Sequence, residues 1–499
     1  MIRTQSFTSL ALILLLPSFA ATQPAPDSSG PTRAALQQQV EKLVALLAQE
    51  ESALKESQQR IELLRKQVVA LQADITGVRA DPPATSAQQD PAESVARLES
   101  QVSALREQQE LQQSEIATHE QTKVESASRF PVKLTGLILM NAFANSSQVD
   151  TIQSPTVAVA GPGTAGFSLR QSVVGLDARG PHVFGATSAA DVRVDFFGNP
   201  GQGSYASGGG TARFRTAHAE LAWEAARAFI ELDRPILNPN TPASLTAIAQ
   251  PALAWSGNLW HWTSQAGAEY SFAPTGGSRI LVQGALADVS DPPSLRTNAA
   301  APPSASLAEQ SRRPGGEARI GFGHGDKTTG LQVGAGGYFS PHRQANDFSF
   351  NAWAATLDYR IPVSKYFEIS GNAYRGAALG GLGAGAFKDY IWRYTNDSYP
   401  ALDDVGGWSQ LKARVGERLE FNTAYGLDNA FAREIRPYLA VGPSFYQNLA
   451  RNSTIMSNVI YSPSAYTLFS VEYRRIDSAP AVGAPSTANV YGVAAGYRF

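Results

Sequence analysis

From residue 132 to the end of the chain, apolar and polar residues alternate with a period of two, in segments of about ten residues. Gly, Asn, Asp, Ser and Pro cluster between these segments. Residues 191–196 and 470–474 illustrate the alternation, with a polar or charged side chain at every second position. This period is typical of a β-strand that has one face in water and the other in an apolar environment. The pattern predicts sixteen strands, at 132–145, 167–179, 187–197, 212–223, 226–235, 259–272, 278–289, 315–325, 329–340, 347–360, 364–376, 406–415, 417–426, 448–461, 465–476 and 488–499.

The predicted connections between these strands alternate in length. Long connections fall at 146–166, 236–258, 290–314, 377–405 and 427–447, and tight turns such as 224–225 and 362–363 lie between them. Since successive connections of an antiparallel sheet lie at opposite ends, the long loops all share one end. A soluble sandwich shows the same alternation of residues, so the loop lengths decide between the two folds. Together with an even strand count, they favour a transmembrane β-barrel of the bacterial outer membrane.

The pattern before residue 130 is different. Residues 23–129 contain no Phe, Trp or Tyr, and apolar residues recur there at alternating intervals of four and three from Leu36 to Val78, broken only by Glu50 and Ser57. This spacing predicts an α-helical coiled coil over 36–79, roughly 64 Å long at 1.5 Å per residue. Its mixed Leu, Ile and Val seam permits a dimer or a trimer of identical chains. The alternative is a monomeric hairpin, in which this helix folds back on the second helical segment.

The first twenty residues have the three parts of an export signal. Arg3 is followed by an apolar stretch at 10–16 and by small residues at positions 18 and 20. The alternative is a disordered tail with a chance apolar stretch. We therefore divide the chain into a signal peptide (1–20), a linker (21–35), the coiled coil (36–79), a Pro-containing linker (80–92), a second helical segment (93–129) and the barrel (130–499).

Composition and motifs exclude several functions. The chain has no Cys, which excludes disulfides, thiolate zinc sites and a cysteine nucleophile. The 41 basic residues and 43 acidic residues nearly cancel, which argues against a nucleic-acid partner. There is no Gly-x-Ser-x-Gly, His-Glu-x-x-His, Walker or EF-hand motif, and the six His share no metal-ligand spacing. We therefore expect no enzymatic activity, no catalytic residues, no cofactor and no metal site.

Three local motifs carry a resemblance to a known family. They are 213–221, 312–314 followed by 319–321, and 458–463 leading to 472–473. With the signal, the coiled coil and the terminal barrel, they make the chain resemble the DcaP-like outer-membrane porins and, more distantly, the phosphate-selective porins. The resemblance implies a trimer of sixteen-stranded barrels with coiled coils in the periplasm, in the outer membrane of a Gram-negative-type bacterium. It also implies that Tyr497 and Phe499, at the end of the last strand, are the signal that the barrel-assembly machinery reads.

The charged residues of the predicted barrel are candidates for the lining of a pore. From residue 130 onward there are 24 Arg and 5 Lys, and Arg binds carboxylate and phosphate groups in a bidentate manner. The basic candidates are Arg170, Arg193, Arg213, Arg215, Lys412, Arg414, Arg418 and Arg474. The acidic candidates, expected on an opposing wall, are Asp191, Asp195, Glu231, Asp233 and Glu420. The alternative for each residue is an ion pair between neighbouring strands inside a polar lumen.

The lumen of a sixteen-stranded barrel is wide, so a selective channel of this size needs another part of the chain to narrow the lumen. By resemblance to general porins, residues 235–260 are expected to fold inward as a constriction loop; the alternative is an ordinary outer loop. The predicted function is passive diffusion of small hydrophilic solutes through a water-filled channel, with a preference for anions such as organic acids. The first alternative is a structural anchor whose coiled coil tethers the outer membrane to the cell wall. The second is a transporter specific for one class of anion.

Overall fold

The computed structural model describes residues 131–198, 210–273, 276–292, 305–326, 329–343, 348–392, 398–439 and 445–499. The predicted signal peptide, coiled coil and second helical segment lie outside the described residues. None of the helices within the described ranges is long and apolar enough to cross a membrane.

Among these residues, seventeen strand segments form one closed antiparallel sheet. The barrel closes where Leu137–Asn145 of the first segment pairs with Val490–Arg498 of the last. The segments are β1 (Val132–Val149), β2 (Ala158–Ser168), β3 (Val173–Val183), β4 (Ala186–Gly198), β5 (Thr211–Ala222), β6 (Ala226–Asp233), β7 (Thr263–Phe272), β8 (Ser278–Asp288), β9 (Gly315–His324), β10 (Leu331–Arg343), β11 (Ser349–Pro362), β12 (Phe367–Ala377), β13 (Asp403–Val415), β14 (Leu419–Asn429), β15 (Leu449–Tyr461), β16 (Thr467–Pro480) and β17 (Ser486–Arg498).

Two of the seventeen segments form one interrupted strand. Both β2 and β3 pair with β1, β2 with its second half and β3 with its first. The break between them is at residues 169–172. The barrel therefore has sixteen strands among the described residues, and the strand count predicted from the sequence is confirmed.

The first long loop was predicted wrongly. The connection from β1 to β2 spans only residues 150–157, whereas the sequence predicted a loop over 146–166 and a strand at 167–179. The Gly- and Pro-rich run of β2 has the composition of a loop, yet it completes the sheet because its backbone pairs with β1. The short connection is held by Asp150, whose carboxylate accepts hydrogen bonds from the backbone N–H of Thr156 and Val157, both at 2.9 Å.

The two faces of the barrel differ in chemistry. On β16, Val471 and Tyr473 are exposed on the outside, whereas Glu472 and Arg474 are buried on the inside. This apolar outer face and polar inner face are typical of a barrel surrounded by lipid. Tyr497 and Phe499 also lie on the exposed outer face. The backbone of Phe499 exchanges two hydrogen bonds with Gly136, of 2.9 and 3.0 Å, so the last residue helps to close the sheet.

The connections at the two ends of the barrel differ in length, as predicted. At one end, called here the loop end, they span 150–157, 199–210, 234–262, 289–314, 344–348, 378–402, 430–448 and 481–485. At the other, the turn end, they span 184–185, 223–225, 273–277, 325–330, 363–366, 416–418 and 462–466. Short helices α1 (Leu307–Ser311), α2 (Ala432–Ile435) and α3 (Phe445–Asn448), with 3-10 turns at Gly380–Leu382, Gly385–Phe387 and Arg436–Tyr438, lie within the loop-end connections.

The apolar core lies inside the loop end of the barrel. Leu237 and Leu259 of one connection pack with Leu379 and Leu382 of another in one buried cluster. In a second cluster, the rings of Trp255 and Phe387 stack with their centroids 3.8 Å apart. Two connections therefore fold into the barrel and pack against each other. The predicted strand 259–272 is shorter than expected for this reason, because its first four residues belong to the inward connection.

Candidate pore constriction

The connection 234–262, called here the inward loop, follows the inner wall of the barrel instead of extending outward. Asn240 donates to the backbone carbonyl of Tyr359 on β11 at 3.1 Å, and the backbone N–H of Ala243 donates to the Gln410 side chain on β13 at 2.7 Å. Further along, Ser244 donates to Glu472 on β16 at 2.6 Å. The loop thus passes around the lumen from strand to strand.

The return half of the inward loop lies closely on the wall. At Gly257 (φ 95°), a Cβ atom would lie 2.0 Å from the backbone oxygen of Gly407, so this close approach requires glycine. Ser256 shares a hydrogen bond of 2.9 Å with Thr454, and Asn452 donates to the carbonyl of Trp255 at 2.9 Å. These contacts hold the loop as a rigid ring inside the barrel.

The inward loop carries no Asp, Glu, Lys or Arg between residues 235 and 262. Arg234 at its start is the one residue of these types in the loop, so most of the charged side chains around the constriction lie on the barrel wall. General constriction schemes place acids and bases on opposite sides of the passage, but here one side is a backbone-rich loop whose charged residue lies at its start.

Three arginines are called here the arginine cluster: Arg213 and Arg215, which bond to the tip of the inward loop, and Arg170, which like Arg213 lies against the ring of Phe197. They surround the single carboxylate of Asp195, which is completely buried. Arg213 Nε lies 2.7 Å and Arg215 Nη1 3.6 Å from its oxygens. Arg213 and Arg215 remain 29% and 19% exposed, respectively. Three positive charges thus lie near one negative charge.

Backbone carbonyls and aromatic rings fix the orientation of these guanidinium groups. Arg213 donates to the carbonyl of Ala249 at 2.7 Å, and Arg215 donates to that of Ile248, so both side chains are bonded to the tip of the loop. The ring of Trp262 lies 5.1 Å from Arg213 and 5.0 Å from Arg215. Stacking and hydrogen bonding leave the arginines few alternative rotamers, so the positive charge is held in place.

A β-bulge in β5 determines which side chains face the lumen. Arg193 of β4 is opposite Thr216, but the next residue, Val194, is opposite Phe214. One extra residue, Arg215, is therefore inserted, and the alternation changes phase. Arg215 and His218 both face inward as a result, although their odd spacing would place them on opposite faces of a regular strand.

His218 joins two acidic candidates on the neighbouring strands. Its Nδ1 lies 2.9 Å from Asp191 on β4, and its Nε2 lies 3.1 Å from Asp233 on β6. Asp191 lies 3.7 Å from Arg193, which also contacts Asp177 at 2.5 Å. The sequence placed acids and bases on opposing walls, but the structure brings these groups together on one wall. The predicted set did not include His218.

The other candidates form local pairs. Glu231 accepts a hydrogen bond from Gln265 at 3.0 Å and lies 3.7 Å from Arg227. Lys412 lies 3.3 Å from Glu420, so these two pair across β13 and β14. The remaining basic candidates are placed as follows: Arg414 lies 3.4 Å from Glu368 and 3.9 Å from Glu420, Arg474 is buried 3.0 Å from Glu472, and Arg418 is exposed in the turn 416–418.

A second connection, 378–392, also enters the barrel, where the sequence predicted only a loop. Its backbone N–H groups bond to carboxylates of the wall: Gly385 donates to Asp404 at 2.9 Å and Ala386 to Asp428 at 2.7 Å. The Lys388 ammonium group donates to three carbonyls at 2.6–2.8 Å, two of them in residues 446–449. The available signal was an apolar, Gly-rich run next to a lysine, but loops with such a composition are common.

Burial changes the proton affinity of two groups in this second connection. It lowers the pKa of Lys388 to about 7, although nearby carboxylates act in the opposite direction. Burial, assisted by the charge of Asp291, raises the pKa of Asp389 to about 8. Asp389 therefore holds a proton at neutral pH.

Comparison with known proteins finds solved structures with a similar fold. No protein-family model and no curated protein sequence matches the chain. The outer membrane channel DcaP of Acinetobacter baumannii has a similar structure, with a TM-score of 0.56 and 16% sequence identity over 74% of this chain and 99% of that chain. OprB of Pseudomonas putida gives a TM-score of 0.46 and 11% identity over 74% and 94% of the two chains. OmpT of Vibrio cholerae, in its trimer form, gives 0.44 and 10% over 74% and 100%. The similarity to DcaP confirms the barrel fold that the sequence predicted.

Proposed function

We propose that this chain is an outer-membrane porin whose barrel encloses a water-filled channel for small hydrophilic solutes. One observation carries the proposal: charged side chains on the inner wall stay accessible to water, from Arg213 near the loop end to Arg414, 38% exposed, near the turn end. An apolar outer face and a hydrated, charged interior are what a passage through lipid requires. The outward-facing Tyr497 and Phe499 fit the proposed recognition by the barrel-assembly machinery.

The channel is proposed to favour anions, including organic acids. The arginine cluster supports this preference because three guanidinium groups lie near one buried carboxylate, beside a loop segment, 235–262, that has no Asp, Glu, Lys or Arg. Arginine stays charged at any physiological pH and binds carboxylates with two parallel hydrogen bonds. An anion that passes the loop tip therefore meets fixed donors, whereas a cation meets a net positive field.

The test is the ion selectivity of the purified full chain in planar bilayers. Arg213→Ala with Arg215→Ala is expected to conduct but to shift the reversal potential in a salt gradient toward that of a cation-selective pore. The control is Arg312→Ala with Arg313→Ala, which removes the same charge from exposed residues of a loop-end connection. If the double variant at 213 and 215 has the same reversal potential as the control, the arginine cluster does not contribute to ion selectivity.

A protein that inserts but never conducts would contradict the porin proposal. The structural-anchor hypothesis would then be favoured, in which the coiled coil contacts the cell wall. Block of the current by one class of anion at low concentration would instead indicate a transporter specific for that class.

A further inference from the structure

We infer that His218 makes the ion selectivity of the channel depend on pH, by taking up a proton between two carboxylates at the level of the inward loop. The inference rests on the proposed channel function and adds a residue and a dependence on pH to it. Its basis is the position of the imidazole ring, which bridges Asp191 and Asp233 at 2.9 and 3.1 Å.

The location of His218 puts its charge beside the start of the inward loop. Asp233 is the last residue of β6, directly before the inward loop, and its carboxylate accepts a hydrogen bond from the backbone N–H of Arg234 at 2.7 Å. On its own strand, His218 lies three residues from Arg215, which is bonded to the loop tip. Since His218 is still 23% exposed, a permeating ion passes close to it.

The charged groups around the His218 ring determine how protonation of the ring changes the local charge. The charged groups that face it from its own and neighbouring elements are Asp191 and Arg193 of β4, Arg215 and Glu220 of β5, Glu231 and Asp233 of β6, and Arg234 of the inward loop. Among these groups, the two that contact the ring are both negative. When the imidazole is neutral, it leaves both carboxylate charges in place, and when it is protonated, it offsets one of them.

Histidine suits this role because its protonation falls in the range in which neither arginine nor solvated carboxylates change charge. One proton moves the fixed charge of this wall by one unit toward positive. Potassium ions are then attracted less and chloride ions more. The channel should therefore favour anions more strongly as the pH falls through the titration of His218.

The experiment measures the reversal potential of the full chain in a KCl gradient from pH 5.5 to 10. The wild type is expected to show a step that belongs to His218, beside the titrations of the buried Lys388 and Asp389 that all variants share, with the chloride-to-potassium permeability ratio rising roughly two- to fivefold toward acid pH. His218→Gln keeps a hydrogen-bonding side chain without the titration and should lack the step. The matched control, His324→Gln, changes an exposed histidine of β9 that bonds to Ser278 and should retain it.

A second variant protects the test against misfolding of the first. Asp191→Asn removes one of the two carboxylates that favour the protonated ring, so the step should move to lower pH. The inference is overturned if the wild type conducts without a step, or if His218→Gln keeps the step unchanged. A barrel that does not conduct at all would overturn the proposed channel function as well. A barrel that conducts without the step would overturn only the inference about His218.

Discussion

At the scale of single residues, the buried carboxyl group of Asp389 makes a pH-dependent contribution to stability. Its pKa is about 8 in the folded protein and near 4 in an unfolded chain. The unfolded state therefore releases a proton that the folded state keeps, and stability falls as the pH rises through this window, by about 1.4 kcal/mol per pH unit at most.

Asp389→Asn should raise the thermal unfolding midpoint in detergent at pH 8 and change it little at pH 4. The wild type and the Asp389→Asn variant both contain Lys388, so the titration of Lys388 cancels when their unfolding midpoints are compared. Equal changes at both pH values would contradict the assignment.

Some residue positions followed from alternation and others did not. Asp191, Arg193 and Asp195 share one face of the sheet because β4 keeps its period of two over these residues. His218 escaped prediction because the extra residue in β5 changes the phase of the alternation, and a bulge leaves no clear mark in the sequence. Pairing between neighbouring strands was the alternative that the sequence left open, but the partners of each residue could not be predicted, since they depend on the register between strands, which hydrophobic periodicity does not specify.

At the scale of elements, the second inward connection should act as a further barrier to ions. Residues 381–387 fill space at the loop end, and Gly380 lies against the Lys388 backbone, since a Cβ atom at 380 would be 2.8 Å from the carbonyl carbon of Lys388. Replacing 381–387 by one glycine should therefore leave the barrel closed while increasing single-channel conductance, by roughly 1.5-fold or more. Replacing the exposed Ala484 and Pro485 with glycines is the control. An unchanged conductance would show that this connection does not obstruct the ion path.

The strands were predictable because each must present one apolar face to its surroundings and one polar face to the lumen, and this constraint fixes a period of two along the whole chain. The connections lack such a constraint. Residues 234–262 fold inward because Leu237, Leu259 and Trp255 find apolar partners in residues 378–392 and because polar wall groups such as Glu472 bond to the backbone-rich loop. Each of these partners is more than one hundred residues away in the chain, so local sequence patterns do not reveal them.

At the scale of the whole molecule, the proposed assembly is a trimer held by the coiled coil at 36–79 and by the barrels. The heptad spacing of residues 36–79 predicts this assembly. Residues 36–79 lie outside the part of the chain that the structure describes. A linked coiled coil raises the effective concentration of the barrels for one another, so its loss should weaken an oligomer without affecting the folding of each barrel.

Deleting residues 36–79 should therefore leave a heat-resistant, conducting barrel whose oligomer dissociates on dilution in detergent at a protein concentration at least about tenfold higher than that of the full chain. Light scattering coupled to size-exclusion chromatography measures this difference. A matched pair of point variants isolates the seam from other effects of the deletion: Leu64→Glu places a charge in the predicted seam, whereas Leu63→Glu places the same charge beside it. Only the first should weaken the oligomer, because a buried charge in the seam has no partner to offset its loss of hydration. Equal behaviour of the two variants would favour the alternative of a monomeric helical hairpin, and an unchanged oligomer after the deletion would place the association in the barrels alone.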